Sequence, residues 1–487
     1  MSDKPSKKPA DHDPFQASQA ADAENFRDHL TTADKLGHRQ WVYAKKPKGK
    51  WTDRRTWLSW LLIGVMFAGP FIKLNGNPLL MINIVERRFS ILGQLFWPQD
   101  MIIFAVALLI FITGIIVFTT AFGRLWCGWT CPQTVMMEMV FRKLEYLIEG
   151  DAIAQKKLDA APWTLGKLGK KTFKLGVFFV LSFIIGNTLL AYIIGSDELI
   201  KIITDEPRNH IAGLSFMMLF TLVFFAIFAR FREQACTFIC PYGRLQSTML
   251  DENTLIVAYD HKRGEKRGKL KAEQPLVKRI AEGKGDCIDC HQCVTVCPTG
   301  IDIRNGVQME CVHCTACIDA CDSVMDKVGS PRGLIRYASL NSIEKGEPFR
   351  ITSRMKLYAV VLAGLVALFL TLVFMRPAVE AMFLRAPGSL FMQTADGKIE
   401  NLYTLKLVNK TMRELPVELK LEGIAGQLEV MGEKNLVVPA GKLSETSVLI
   451  QLAPEVLTGG TTKLKVGVYS GGKRVQTVKT VFVGPRK

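Results

Sequence analysis

The chain has 487 residues, 48% of them hydrophobic and 22% charged, with a formal net charge of +17. That length is too great for one domain and calls for several. Residues 1–50 are polar and hold no apolar core, which speaks against a secretory signal, and the way the positive charge is spread along the chain speaks against nucleic acid as its target.

Residues 1–55 read as a polar cytoplasmic tail that closes in KKPKGKWTDRR. Five uncharged apolar runs follow, at 56–72, 101–122, 175–196, 211–229 and 357–375. Runs of roughly 17–25 residues are long enough to cross the hydrocarbon core as helices. Buried core helices are the plainer alternative, but they rarely run so far without a charge. The first run is the shortest and carries Gly69 and Pro70 near its end. Lys and Arg alternate between rich and poor loops, with 12 in 1–55, 3 in 73–100, 9 in 123–174, 2 in 197–208 and 20 in 230–356. This positive-inside pattern places the rich segments in the cytoplasm. Five crossings then put residues 377–487 outside, where long domains go largely regardless of their charge.

Residues 56–250 read as a four-helix membrane unit with an internal echo. WCGWTCPQ (126–133) follows one apolar run and ACTFICPY (235–242) another, and each C-x-x-x-C-P leads into an amphipathic segment. A residue before proline avoids the α region, while proline is favoured as the first residue of a helix. Cys131 and Cys240 are therefore expected to cap helices starting at Pro132 and Pro241, where the helix dipole favours a thiolate. If the two halves pack face to face, Cys127, Cys131, Cys236 and Cys240 close one soft-metal site for Cu(I), zinc or an iron–sulfur species. The bland reading is four small cysteines packing helix ends. No His follows these cysteines, so a c-type haem is excluded. Met136, Met137 and Met139 could pass on Cu(I), although core packing is the commoner use of such methionines. The loop 73–100 is too apolar to be idle and is expected to be interfacial or partly re-entrant.

Residues 251–345 form a soluble, basic, cysteine-dense segment on the cytoplasmic side. Residues 287–297 and 311–321 each read C-x2-C-x2-C-x3-C, the spacing of bacterial ferredoxins that carry two [4Fe–4S] clusters. The fourth cysteine of each run serves the other cluster. That assigns Cys287, Cys290, Cys293 and Cys321 to one cluster, and Cys297, Cys311, Cys314 and Cys317 to the second. Structural zinc also uses four thiolates, but usually from two separated C-x2-C pairs. His291 and His313 lie between ligands and are expected to be solvated or hydrogen-bonded loop residues. The second run has Asp322 where the first has Pro298, so the turn after Cys321 is expected to differ. All 12 cysteines fall in segments assigned to the cytoplasm, which marks them as ligands and not as disulfides.

Residues 346–376 contain the fifth crossing. Beyond it, 377–487 alternates apolar and polar residues in short stretches such as LYTLKLV and VQTVKTVFV, with about six or seven strands expected over 399–483. No catalytic constellation stands out there, and docking is its expected work. The fold class is thus a multi-domain integral membrane protein. It joins an α-helical membrane unit of about five transmembrane helices, a bacterial 2[4Fe–4S] ferredoxin-like module and a C-terminal immunoglobulin-like β-sandwich.

Several long motifs occur in an order that resembles one family: GRLWCGWTCPQTV, EQACTFICPYGRLQSTMLDENTLIVAYDHKRGEKRG, GDCIDCHQCVTVCPTGIDIRNGVQMECVHCTACIDACD and SPRGLIRY. They are similar to the membrane polyferredoxins of the FixG/CcoG/RdxA family, accessory proteins for assembly of cbb3-type cytochrome c oxidase. The likeness covers about residues 40–345 in motif detail and extends by architecture to the C-terminal domain. It implies a cupric reductase of the bacterial inner membrane, with two [4Fe–4S] clusters and with copper as substrate or transient ligand. The expected partners are oxidase subunits or copper chaperones, a cytosolic electron donor or quinol and the lipid bilayer; the sequence leaves the oligomeric state open, a homodimer being one option. The rivals are a quinol-linked relay to a partner reductase, as in related polyferredoxins of nitrate and nitrous oxide reduction, and a non-catalytic assembly scaffold or redox sensor.

Overall fold

The structure is a computed structural model and describes residues 32, 38–74, 77–83, 88–91, 94–96, 100–269, 283–386, 390–394, 396–411, 413–432 and 436–485. Most of the N-terminal tail therefore lies outside the described residues. The chain divides into two compact units, one of residues 1–68, 108–190 and 199–365, the other of 69–107, 191–198 and 366–487.

The apolar runs become helices because a backbone in lipid must satisfy its own N–H and C=O groups. Four helical stretches are long and apolar enough to cross a membrane: Met101–Phe122, Leu165–Ile194, Pro207–Phe231 and Ser353–Phe374. Their outward faces carry exposed Leu, Ile, Val and Phe, as lipid contact requires. The run at 56–72 folds differently. Its helix, Lys50–Ala68, begins among Lys50, Asp53, Arg54 and Arg55, which leaves a shorter apolar stretch than in the other four. Trp57, Trp60, Leu61 and Val65 still form an exposed apolar face on it.

Inside the first unit, the segment after the first motif is helical from Pro132 to Ile148, with a π-helical stretch Met136–Phe141 in its middle. Its inner face packs on the helices behind it. Phe141 stacks on Phe228 with centroids 4.3 Å apart and meets Phe178 edge-on at 4.9 Å. Met136, Met137 and Met139 are buried here and fill core space. The described end of the tail is also packed in. Lys45 N–H donates to the Thr295 carbonyl at 2.7 Å, and Asp319 accepts from the backbone N–H groups of Trp51 and Thr52.

The ferredoxin module is built on the antiparallel pair Ile256–Tyr259 and Ile335–Ala338, with helices Gln292–Thr295 and Ala316–Val328 each carrying the third cysteine of a triplet. Val257, Ile301, Ile303, Ile318, Met325, Leu334 and Ile335 form its apolar core, together with Cys287, Cys293 and Cys321.

In the second unit, residues 73–100 fold in part as short antiparallel strands, with Leu80–Asn83, Arg88–Ile91 and Gln94–Phe96 forming a meander. The C-terminal part is a β-sandwich. One sheet runs in the order Gly426–Val430, Leu443–Leu452, Ile399–Asn409 and Val379–Arg385, with Met392–Gln393 paired beside Ile399–Asn409. The other runs Leu436–Val438, Leu415–Glu422, Thr461–Ser470 and Lys473–Val483. Alternate residues such as Leu405, Leu407, Ile450, Val466 and Val468 are fully enclosed between them, which is the period-2 pattern of a two-faced sheet. Tyr403 OH donates across the core to the Val481 carbonyl at 2.9 Å. Within this unit Asp100 is buried between Arg376 and Lys410, at 2.5 and 2.6 Å.

Candidate electron-transfer and metal site

Each cysteine triplet coils by the same device. Asp289 and His291 in the first loop, and His313 and Thr315 in the second, adopt left-handed φ values of 53°, 54°, 52° and 67°. They occupy equivalent positions on either side of the middle cysteine of each triplet. A left-handed residue reverses the local curl, so the alternation wraps the loop and turns its thiols into one cavity. The fourth cysteine comes from farther along: Cys297 lies just past helix Gln292–Thr295, and Cys321 lies inside helix Ala316–Val328. Asp322, one residue on, accepts from Gly333 N–H at 2.9 Å, and the chain continues as helix where the first run has its Pro298 turn.

The thiols sort as the spacing requires. Cys287, Cys290, Cys293 and Cys321 line one cavity, together with Tyr259 and Met325. Cys297, Cys311, Cys314 and Cys317 line a second, which Cys293 also borders. Burial pushes the thiols up, Cys314 to about 11 and Cys293, Cys311 and Cys321 to about 12. A bare thiol here holds its proton, and iron binding displaces it. The donor sets fit [4Fe–4S] clusters, which when bound supply one-electron transfer. The two sites differ in access: Cys290 is exposed, whereas Cys314 is buried.

The two histidines part company. His291 is exposed, and its Nδ1 lies 2.9 Å from Arg304 Nη2. His313 is buried and accepts from Arg124 N–H through Nδ1 at 3.1 Å. Burial first, then the nearby Arg124 charge, pushes His313 down to about 3, so it stays neutral.

The membrane-edge motifs have the caps their sequence predicts. Cys131 and Cys240 are extended (ψ 123° and 112°) and each precedes a proline at the start of a helix, Pro132–Val135 and Pro241–Met249. Cys127 sits in the short helix Leu125–Trp129, and Cys236 in the π-helical turn Ala235–Ile239. Two glycines permit close backbone approaches, one within the second motif and one between the first motif and the ferredoxin module. A Cβ at Gly243 would collide with the Cys236 carbonyl oxygen, and one at Gly128 with the Val312 carbonyl oxygen. Gln246, on the second motif's helix, donates from Nε2 to the Cys127 sulfur at 3.1 Å. The four thiols lie within electrostatic reach of one another, Cys236 of all three others and Cys127 of Cys131 and Cys240. Burial raises Cys127 to about 11 and Cys236 to about 12.

This edge site abuts the second cluster cavity. Cys127 packs against the apolar group formed by Val296, Val312, Cys314 and Ala316. Trp129 Nε1–H donates to Tyr337 OH at 3.1 Å, and Tyr337 OH donates to the His313 carbonyl at 3.2 Å. Three buried arginines clamp the junction, and motif reading did not single them out. Arg55 Nε donates to the Gly128 carbonyl at 2.6 Å. Arg142 donates to the carbonyl of Pro298, the residue after Cys297, at 3.3 Å. Arg124 reaches the carbonyls of Met309 and Gly243 together. Arg124 stands three residues before Cys127 in the quoted motif, a signal that was present but carries no metal chemistry of its own. Among the described residues, no three His, Cys, Asp or Glu side chains converge tightly enough to ligate a single ion.

Comparison with known proteins places these features in a family. A model described as a 4Fe-4S dicluster domain matches residues 231–340, one described as a 4Fe-4S binding domain matches 104–157, and the IG-like fold at the C-terminal of FixG matches 369–485. Protein RdxA of Cereibacter sphaeroides is 35% identical over 472 residues, covering 91% of this chain and 97% of its own. Protein RdxB of the same organism is 33% identical, covering 86% and 90%. Nitrogen fixation protein FixG of Rhizobium meliloti is 32% identical, covering 81% and 82%. The chain belongs to the FixG/RdxA family and is a multi-domain membrane protein that transfers electrons through iron–sulfur clusters.

Proposed function

We propose that this chain is a membrane-bound cupric reductase that passes single electrons through two [4Fe–4S] clusters to copper(II) at Cys127, Cys131, Cys236 and Cys240. The observation that carries this reading is the packing of Cys127 against the Cys314 side of the second cluster cavity. A junction held by Arg55, Arg124 and Arg142 gives electrons a short, dry exit from the ferredoxin module to a set of soft thiols. Soft thiolates favour Cu(I) over Cu(II), so a copper ion that meets them is biased toward reduction. Each Cu(II) takes up one electron, supplied in turn by a cytosolic donor or quinol. The product Cu(I) serves assembly of a cbb3-type cytochrome c oxidase, through its subunits or a copper chaperone. In this reading the protein lies in the bacterial inner membrane, with its ferredoxin module in the cytoplasm and its β-sandwich in the periplasm. The positive-inside count supports that orientation.

The test uses the full chain, purified without oxygen in detergent, reduced chemically and mixed with Cu(II) in the presence of a Cu(I)-specific chromophore. One Cu(I) should form per electron stored, and Ser at all four edge positions should remove most of the rate while both ferredoxin spectra persist. Clusters that reduce normally and ignore copper would instead favour a relay to a partner reductase.

A further inference from the structure

We infer that Cys127, Cys131, Cys236 and Cys240 hold a third iron–sulfur cluster of their own, so that copper meets the outer edge of a cluster and not an empty thiol cage. The inference deepens the proposed function and rests on its reading of these thiols as the end of the relay.

The donor set comes first. Four thiols lie within electrostatic reach of one another here, a soft donor set that suits Cu(I), zinc or an iron–sulfur species. Spacing separates these. A single ion draws each thiolate sulfur to about 2.3 Å, whereas a cubane spreads four thiolates over the corners of a larger body. Among the described residues no three such ligands converge on one point.

Residue bookkeeping points the same way. The segment 104–157, matched to a 4Fe-4S binding domain, contains only Cys127 and Cys131 of the chain's 12 cysteines. Two thiols cannot hold a cubane. The two that complete the set are Cys236 and Cys240, which the fold brings toward them through the Gln246–Cys127 hydrogen bond and the reach of Arg124 to the Gly243 carbonyl.

The surroundings suit an anionic cluster. Apolar Val296, Val312 and Ala316 lie on one side of Cys127, and the positive charge of Arg124 acts on its sulfur. The Gln246 amide gives that sulfur an N–H donor, one of the contacts that set a cluster's potential. The three sites then form a series. Cys293 borders both ferredoxin cavities, and Cys127 packs on the Cys314 side of the second.

Iron and sulfide counting decides it. The full chain, purified anaerobically, should contain about 12 iron and about 12 sulfide per protein, where two clusters alone would give about 8 of each. The variant with Ser at Cys127, Cys131, Cys236 and Cys240 should fall to about 8, with the EPR signals of the ferredoxin pair retained. Gln246→Leu should shift the midpoint of one redox transition and leave two in place, a readout that survives if the quadruple variant does not fold. About 8 iron in the wild-type protein overturns the inference, as does an iron count that the quadruple variant leaves unchanged. Either result leaves cupric reduction standing, whereas a 12-iron protein inert toward Cu(II) removes the copper reading and keeps the third cluster.

Discussion

Gln246 Nε2 lies 3.1 Å from the sulfur of Cys127 and donates to it, although the two residues stand 119 positions apart. The bond joins the helix that follows one cysteine motif to the thiol that opens the other. It makes the membrane edge a single site and not two copies of a motif.

That site tolerates no side chain at its two closest approaches. Gly128→Ala places a methyl on the Val312 carbonyl, and Gly243→Ala places one on the Cys236 carbonyl. Backbone cannot yield as a flexible side chain does, so each change should cost about 1–3 kcal/mol and open the junction. Stopped-flow oxidation of the prereduced protein by Cu(II) should slow in both variants, while the absorbance of the two ferredoxin clusters stays at its wild-type level. An unchanged rate in both would mean that the edge site lies off the electron path.

Arg142 makes a different kind of joint. It is buried, pairs with Glu138 at 2.9 Å, has Glu233 at 3.7 Å and donates to the Pro298 carbonyl. Burial opposes its charge, but the surrounding carboxylates outweigh burial and raise it further above its ordinary value. Arg142→Leu strands those carboxylates in a dry place, a loss of about 3–5 kcal/mol. Thermal unfolding should show that loss in full for Leu and less for Lys, which keeps the charge without the forked donors.

In the second unit, Asp100 sits between Arg376 and Lys410, and Lys410 also meets Glu380 at 2.7 Å. Burial pushes the Asp100 carboxyl up, and hydrogen bonds from Arg376 and Lys410 more than reverse this, holding it below the ordinary carboxylate range. A carboxyl depressed in the folded state stabilises above its unfolded pKa of about 4 and loses that contribution as pH falls through the folded value. Asp100→Asn should therefore destabilise this unit at neutral pH by about 3 kcal/mol and flatten its acid limb. Protease sensitivity of the β-sandwich against pH measures both effects.

Much of this was legible in advance because cysteine spacing is chemistry written at fixed offsets. The partition of Cys297 and Cys321 to opposite clusters, and the caps at Cys131 and Cys240, follow from local rules about thiolate reach and proline. The helix at Lys50–Ala68 was harder, since an apolar run fixes neither where a helix starts nor how many charges its first turn recruits. The meander within 73–100 hid behind its apolar composition, because short strands and interfacial segments share it. Arg55, Arg124 and Arg142 were illegible for another reason. Their partners are backbone carbonyls 73 to 185 residues away, and nothing in a sequence marks a carbonyl as needing a donor.

The crossing count is open to a direct check. If Lys50–Ala68 spans the membrane with the four longer helices, an enzyme active only in the periplasm should work when fused after Lys487 and fail when fused at the N-terminus. Activity at both ends or at neither would mean an even number of crossings.

Of the twelve cysteines, Cys290 is the exposed one, and the others are half-buried or buried. Air should therefore not bleach this protein uniformly. Oxygen reaches iron first where a thiolate is uncovered, so brief exposure should strip the cluster held by Cys290 while the one beside Val312 and the Arg142 clamp persists. A sample handled carelessly would then retain colour after losing the cluster held by Cys290.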